Sequence, residues 1–416
     1  ALFDRCSIGA ARSPWSIFLF CVYAIYMLCA LTIPSVGKAA AGLLLLLGLV
    51  CLSRLGRGRG GLLVVERALL VSFALFSLVS IVSFFYWPQT RDARMHLEDY
   101  VTFVMLLPLY LVLRQFRFNF NWLVVLLALV AILLGCVSIA QFIAMEYFGV
   151  SILAAGKVFW GRPSGDVNPM RYGAISLVVA VFSLNAMLVL RQKTAWLKLL
   201  LVVAFCLGLL ACVLAQAKGS WLAVPVLMVA YVVYLYRAGQ FRFLMVAVVV
   251  GLLLMFWASQ MQVVQGRIQL FVENVYAYGE GNSQTPVGAR SDMFIAAGIL
   301  IVQKPIFGHG LNSYSFKATE IRKVTPGMSR EVGRWANPHN EVLQVMVEKG
   351  GIGLISLLLL FAAPAYLFLQ ALSREGDSSS GQEIKFYAMS GLGLLIVYAV
   401  AGQSVALFEH DVFNHF

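Results

Sequence analysis

Residues 122–148 read WLVVLLALVAILLGCVSIAQFIAMEYF, and this stretch decides the fold class. Glu146 is its only charged residue. As a helix rising 1.5 Å per residue the stretch is about 40 Å long, enough to cross a hydrocarbon core of about 30 Å. It is apolar on every side, as a transmembrane helix is, whereas a surface helix keeps one polar face.

Ten further apolar stretches accompany it, and the composition of the whole chain agrees with them. Of the 416 residues 61% are apolar and 12% are charged, about half the charged fraction of a soluble domain. A water-soluble globule is therefore excluded, and the long stretches argue against a membrane barrel with strands of about ten residues. The predicted spans are 15–33, 39–53, 62–87, 99–113, 122–148, 171–190, 196–216, 219–236, 241–260, 340–372 and 384–408. We predict an all-α polytopic membrane protein with 11–12 transmembrane helices, because residues 409–416 read like the start of a twelfth.

The positive charges alternate between successive connectors. The short connectors on one side carry fifteen Lys and Arg residues, and those on the other side carry seven. The richer side is cytoplasmic by the positive-inside rule, so segment 261–338 faces the outside. Since the cations are spread over many connectors, the net charge of +12 reflects topology, and we expect no nucleic-acid partner.

Segment 261–338 separates two membrane parts, so we divide the chain into a transmembrane bundle (1–260), a periplasmic loop domain (261–338) and C-terminal transmembrane helices (339–416). The loop is expected to carry short amphipathic helices. Val264, Ile268, Phe271 and Val275 fall on one helical face. A second helix, capped by Ser291 or Asp292 and ending before Pro305, is too short to span and should lie on the membrane face.

The loop also carries an excess of positive charge, with eight cations against five acids. Attraction of an anionic ligand is one explanation. A solvated basic surface beside anionic lipid headgroups explains the charge equally well.

The run Asn337-Pro338-His339-Asn340-Glu341 directly precedes the tenth predicted span. Asn is a preferred helix cap and Pro suits the first helical position, which predicts that His339 lies in the first turn of a helix. The positive end of the helix dipole disfavours imidazolium there. A neutral imidazole can accept a proton, so His339 is a candidate catalytic base. The alternative is an interfacial histidine at the end of a loop.

Three cations on the same predicted side could share a site with His339. Lys218 lies in the short turn Ala217–Gly219 between two spans, where a cation is costly unless it reaches water or a partner. Arg290 precedes the predicted caps of the short helix, and an anion there would meet helix-terminal amides. Arg162 lies in the loop Gly161-Arg162-Pro163-Ser164-Gly165. Each of them alone is explained as well by a snorkelling interfacial cation.

The sequence contains no P-loop, no dinucleotide fingerprint and no paired Cys/His metal cluster, so we expect no cofactor and no metal. Cations and one histidine suit a substrate whose leaving group is already good, such as a lipid-linked sugar diphosphate. Only the incoming hydroxyl would then need a base.

Four motifs of the sequence resemble those of the O-antigen ligase family. They are Gln216–Trp221 (QAKGSW), Arg290 with the helix that follows it, Lys304–Tyr314 (KPIFGHGLNSY, like Pro-x-x-Gly-x-Gly) and Pro338–Gly353 (PHNEVLQVMVEKGGIG, like His-Asn-x-x-Leu…Glu-x-Gly-x-x-Gly). The resemblance covers residues 160–355, and the earlier spans match by topology only.

The resemblance implies a C-type glycosyltransferase-like enzyme of lipopolysaccharide biosynthesis in the bacterial inner membrane. On the periplasmic face it would transfer O-antigen polysaccharide from undecaprenyl diphosphate to a sugar hydroxyl of lipid A–core, with inversion and without a metal. Among the matching positions His339 would activate the acceptor, while Lys218 and Arg290 would hold the diphosphate. Arg162 is a weaker match. Lys218 stands where relatives often carry Arg, which keeps the charge but not the bidentate geometry.

The sequence leaves three alternatives open. An O-antigen polymerase or a protein O-oligosaccharyltransferase would differ only in the acceptor. A transporter or flippase for an anionic lipid belongs to a different class. Transporters tend to show internal repeats and charges in the middle of their spans, and neither is evident here.

Overall fold

The computed structural model describes residues 14–55, 64–85, 110, 119–150, 162–165, 167–190, 194–241, 245, 260, 262–373 and 379–404. Every regular element of this part of the chain is a helix. In chain order the helices are α1 (Pro14–Cys29), α2 (Pro34–Leu55), α3 (Val64–Phe84), α4 (Phe120–Phe148), α5 (Pro169–Val189), α6 (Ala195–Leu214), α7 (Lys218–Trp221), α8 (Ala223–Arg237), α9 (Gln262–Gly279), α10 (Pro286–Gln303), α11 (Tyr314–Val324), α12 (Glu341–Ser373) and α13 (Ser379–Ala401).

Seven helices of the described part are long and apolar enough to cross a membrane. They are α3, α4, α5, α6, the α7–α8 unit, α12 and α13, and each coincides with a predicted span. Helices α1 and α2 coincide with the first two predicted spans and contain shorter apolar stretches. The prediction of an all-α polytopic membrane protein is confirmed. The predicted spans 99–113 and 241–260 lie almost entirely outside the described residues, as does the suggested twelfth span.

Helix α5 lies at the centre of the bundle. Its apolar window is 78% buried, the largest share among the seven candidate spans of the described part. Asn168 caps it by accepting a hydrogen bond from the backbone N–H of Met170 (2.9 Å), and Pro169 occupies the first helical position. Small residues bring its neighbours close, since Gly208 of α6 packs against Ser176 and Ala180 of α5. Close contact between small residues is a usual way to pack helices in a membrane.

Helix α12 is broken at Gly350, whose φ of 63° and ψ of −157° are not helical. The loop after α10 fills the break. The backbone N–H groups of His309 and Gly310 donate to the carbonyl oxygens of Val347 (2.8 Å) and Glu348 (2.9 Å). In return the N–H of Gly351 donates to the carbonyl of Pro305 (2.7 Å). We call this pairing of residues 305–312 with residues 347–352 the Gly350 interlock.

The first part of α12, residues 341–349, bridges the ends of two other helices. Its first N–H, of Glu341, donates to the carbonyl of Gly402 just after α13 (2.7 Å). Near its last turn the carbonyl of Glu348 accepts the hydroxyl hydrogen bond of Ser83 at the end of α3 (2.9 Å). The ends of α3 and α13 and the start of α12 therefore lie at the same end of the bundle, which we call the His339 end.

The segment between the membrane parts has its own small core. Met293 and Leu300 of α10 pack with Tyr314 of α11 and with Val332 and Val347. Because Val347 belongs to α12, this core fastens the segment to the bundle. The division into residues 1–260, 261–338 and 339–416 stays a prediction.

Both predicted helices of this segment exist, but the second begins earlier than expected. Thr285 caps α10 by accepting a hydrogen bond from the N–H of Gly288 (3.1 Å), and Pro286 follows it at the first helical position. The predicted caps Ser291 and Asp292 are therefore wrong, because both lie inside the helix. The side of α10 away from the small core exposes Ile295 and Val302, and its contact with a membrane surface stays a prediction.

Candidate active site

His339 does not lie in the first turn of a helix, so that prediction is wrong. Helix α12 begins at Glu341, and its cap is Asn340, whose side-chain oxygen accepts a hydrogen bond from the N–H of Leu343 (3.0 Å). Asn337 instead accepts the backbone N–H of His339 (3.0 Å) in a tight turn across Pro338. This turn places His339 two residues before the helix with a positive φ of 56°, a conformation that is uncommon outside glycine but that histidine, like asparagine and aspartate, adopts more often than other residues.

The half-buried His339 side chain lies among aromatic and charged groups. Its ring centroid is 5.6 Å from that of Trp335, at an angle of 54°. The indole N–H of Trp335 donates to Glu331 (2.8 Å), whose other carboxylate oxygen pairs with Arg334 (2.7 Å). We call Arg290, Glu331, Arg334, Trp335 and His339 the His339 cluster.

The His339 imidazole is available for a substrate. Neither of its ring nitrogens has a hydrogen-bond partner within the described part of the chain. Burial lowers the pKa of His339, the positive charge of Arg290 lowers it further, and the carboxylate of Glu331 opposes both by raising it. The expected neutral imidazole is thus supported, but through burial and a neighbouring cation and not through a first-turn position.

Glu331 is held in its ionised form. The hydrogen bonds from Arg334 and Trp335 lower the pKa of its carboxyl group, and the charge of His339 adds a smaller effect in the same direction. Glu331 therefore stays negatively charged at neutral pH. Its effect on the pKa of His339 is opposite to that of Arg290.

Arg290 is exposed and lies one turn into α10, not before its caps as predicted. It makes no ion pair or hydrogen bond within the described residues. Asp292 fixes the start of α10 against the chain that leads to His339, because it accepts the N–H of Ser329 (2.7 Å) and the hydroxyl of Tyr278 (3.1 Å). The guanidinium is therefore close enough to His339 to act on its pKa, and it has no ion-pair partner in the described part of the chain.

Lys218 lies at the His339 end as well. It is exposed and starts the short helix α7, after a turn in which Gln216 has a φ of 51°. The next residue, Gly219, packs so closely on Ser404 after α13 that a larger residue there would displace the Ser404 hydroxyl. Gly402, in the same turn after α13, accepts the N–H of Glu341 (2.7 Å). Lys218 and His339 therefore both lie next to the turn that follows α13.

Arg162 is half-buried in a short loop that leads to α5. Gln141 of α4 fixes this loop by accepting the N–H groups of Ser164 (2.7 Å) and Gly165 (2.9 Å). The first turns of α5 touch the Lys218 turn, where Gly173 packs against Ala217. The loop of Arg162 therefore lies at the His339 end, although the described contacts do not bring its side chain to the His339 cluster.

Three residues near these positions were not singled out from the sequence. Arg171 is half-buried in the first turn of α5, where a cation opposes the helix dipole. Glu331 and Trp335 precede His339 by eight and four residues. Their spacing carries no recognisable motif, because the chain between them and His339 is a series of turns.

Two of the four motifs that resemble the O-antigen ligase family have a structural role. Lys304–Tyr314 and Glu348–Gly353 pair with each other in the Gly350 interlock. A side chain at Gly308 would overlap the Glu348 backbone, and one at Gly350 would overlap the Ile306 backbone. His309 belongs to this unit, since it is buried and its Nε2 bonds the Leu300 carbonyl (2.9 Å). Its lowered pKa comes mainly from burial.

Part of the chain matches a known protein family. Residues 203–358 match the family model described as O-antigen ligase. This segment contains Lys218, Arg290, the Gly350 interlock and the whole His339 cluster. The chain is also similar to an uncharacterized protein of Haemophilus influenzae, at 24% identity over 315 residues that cover 74% of each chain.

The family match and the membrane-spanning helices together indicate the general class of the protein. The family comprises ligase- and polymerase-type glycosyltransferases, and the bundle is that of a multi-pass membrane protein. Residues 203–358, which hold the His339 cluster and the interlock that supports it, are therefore the part of the chain that is similar to the O-antigen ligase family.

Proposed function

We propose that the protein is an O-antigen ligase of the bacterial inner membrane with its active site on the periplasmic face. Its donor is O-antigen polysaccharide on undecaprenyl diphosphate, and its acceptor is a sugar hydroxyl of lipid A–core. The reaction contributes to lipopolysaccharide biosynthesis. The finding that carries the proposal is the half-buried His339 imidazole without a hydrogen-bond partner in the described residues, within electrostatic range of the exposed guanidinium of Arg290.

The proposed chemistry is a single displacement at the anomeric carbon of the donor. The acceptor hydroxyl oxygen forms the new bond to this carbon while the bond from the carbon to the diphosphate oxygen breaks. The diphosphate leaves with the bonding electron pair, and His339 takes the hydroxyl proton. Attack from the face opposite the leaving group inverts the anomeric centre.

The cations at the His339 end would stabilise the departing diphosphate. Arg290 offers a planar fork that fits phosphate oxygens, and Lys218 offers a point charge. Stabilisation of developing negative charge by fixed cations is a large contribution in group transfer. This role explains why Arg290 and Lys218 are exposed at the same end of the bundle as His339. Arg162 is proposed as a more distant contributor.

The proposal is tested by reconstituting the purified protein with a glycan on undecaprenyl diphosphate and with lipid A–core. A ligase attaches the glycan to lipid A–core and releases undecaprenyl diphosphate. Longer glycan on the carrier, with lipid A–core unchanged, would identify a polymerase instead. Transfer to an added pilin-type peptide, with no transfer to lipid A–core, would identify a protein O-oligosaccharyltransferase.

A further inference from the structure

A cavity of about 820 Å³ opens between α8, the last turns of α12 and residues 385–396 of α13. It lies at the opposite end of the bundle from His339, because α13 runs toward the His339 end and α12 runs away from it. Helices α12 and α13 therefore line the cavity with residues far along each helix from the ends that lie beside His339.

The wall of this cavity is apolar. It is formed mainly by aliphatic and methionine side chains contributed by three helices: Leu227, Leu369, Leu372, Met389, Leu392 and Ile396. An apolar cleft of this size between membrane helices is suited to an acyl chain.

Charged and polar groups occupy separate places in the cavity. Among the described residues that line it, Arg237, the last residue of α8, and Lys385, in the second turn of α13, are the cations. The Tyr231 hydroxyl donates to the buried Asn185 (2.6 Å), which in turn donates to Ser390 (3.2 Å). A ligand would therefore meet positive charge where the helices α8 and α13 end or begin, and apolar side chains further in.

We propose that this cavity binds an anionic phospholipid from the membrane leaflet at that end of the bundle. The phosphate group lies between Arg237 and Lys385, and one acyl chain follows the wall formed by Leu372, Met389 and Ile396. Basic clefts between transmembrane helices are known to favour anionic headgroups, and each cation near a lipid surface contributes about a factor of five in affinity. If Arg237 and Lys385 served only to orient the helices in the membrane, they would not need to line a cavity.

The test is native mass spectrometry of the purified full chain in detergent, with phosphatidylglycerol or phosphatidylcholine of identical acyl chains as the probe. The protein is expected to retain phosphatidylglycerol in preference. The preference should fall by roughly tenfold or more in the double variant Arg237→Gln, Lys385→Gln. The single variant Arg237→Gln, at an exposed position, should show a smaller loss and covers the case in which the double variant does not fold. Lys198→Gln is the matched control, because Lys198 is an exposed cation at the same end in the first turn of α6 and does not line the cavity.

Ala230→Phe separates binding in the cavity from adsorption to a charged surface, because Ala230 lines the cavity. This variant should lose bound lipid while both cations remain. Equal retention of the two lipids by the unmodified protein would overturn the proposal. Unchanged phosphatidylglycerol binding in Ala230→Phe or in Arg237→Gln would overturn it as well, as would an equal loss in Lys198→Gln.

Discussion

The guanidinium of Arg290 and the imidazole of His339 lie within electrostatic range of each other, and the cation lowers the pKa of the histidine. The two residues come from different parts of the fold, α10 and the turn before α12, which the small core of Met293, Tyr314 and Val347 joins. A base kept neutral by burial and by a nearby cation, where the cation also suits a phosphate, fits a glycosyl transfer without a metal.

Arg290→Gln and Glu331→Gln should shift the pH dependence of transfer in opposite directions. A general base works only when unprotonated, so the rate falls as the pH drops through the pKa of His339, which lies below the ordinary value of 6.5. Removing the Arg290 charge raises this pKa and moves the acid limb to higher pH. Removing the Glu331 carboxylate lowers the pKa and moves the limb to lower pH. The measurement is kcat/KM for the donor against pH, which reports the free enzyme.

Lys323→Gln serves as the control, because Lys323 is an exposed cation of α11 outside the His339 cluster. Its profile should match that of the unmodified protein. Shifts of the same sign in Arg290→Gln and Glu331→Gln would show that His339 does not determine the acid limb.

Lys218→Ala and Arg290→Ala should each weaken binding of the donor. Loss of a hydrogen bond to a charged group costs roughly 10- to 100-fold in affinity. The affinity for undecaprenyl diphosphate, measured by isothermal titration in detergent, checks this, and Arg162→Ala should show a smaller loss. Unchanged affinity in both of the first two variants would remove the proposed diphosphate site.

Gly308→Ala and Gly350→Ala should destabilise the protein. Both residues have positive φ, at 70° and 63°, and a methyl group on either would meet the opposite backbone of the interlock. Backbone strain and overpacking together cost roughly 2–4 kcal/mol. The midpoint of thermal unfolding in detergent should fall in both variants.

Gly298→Ala is the matched substitution, since Gly298 lies within α10 with open space around it. It should leave the midpoint unchanged or raise it slightly, because alanine is the better helix former by up to about 1 kcal/mol. A Gly350→Ala protein as stable as the Gly298→Ala protein would contradict the importance of the interlock.

Treatment with EDTA should leave transfer intact, because fixed cations perform the role that a divalent metal would otherwise have. The rate is measured after dialysis against the chelator and again after addition of Mg²⁺, Mn²⁺ or Zn²⁺. Strong inhibition that one of these metals reverses would contradict the metal-free chemistry.

The spans could be predicted from the sequence because about 20 apolar residues in a row are a local property. The break at Gly350 could not be predicted. The backbone groups that fill it come from residues 305–312, and no local sequence pattern near Gly350 indicates this pairing. From the sequence, residues 340–372 therefore read as one uninterrupted span.

The helix caps also show where prediction from the sequence fails. Asn337-Pro338 and Thr285-Pro286 are two of the places where a capping residue precedes a proline. Thr285 starts a helix, but Asn337 does not, because it uses its side chain for the turn that carries His339. The residue types of the site were readable from the sequence, but Glu331 and Trp335 became candidates only through their contacts.

The central claim is that His339 is the general base of the transfer. It is tested most directly by comparing the transfer rate of purified His339→Ala protein with that of the His309→Gln protein. His309 is buried and bonds the Leu300 carbonyl, so His309→Gln should lower thermal stability while the folded protein keeps its turnover. His339→Ala should fold normally and transfer glycan to lipid A–core roughly 10²- to 10⁴-fold more slowly, as expected for loss of a general base. Normal transfer by folded His339→Ala protein would contradict the account.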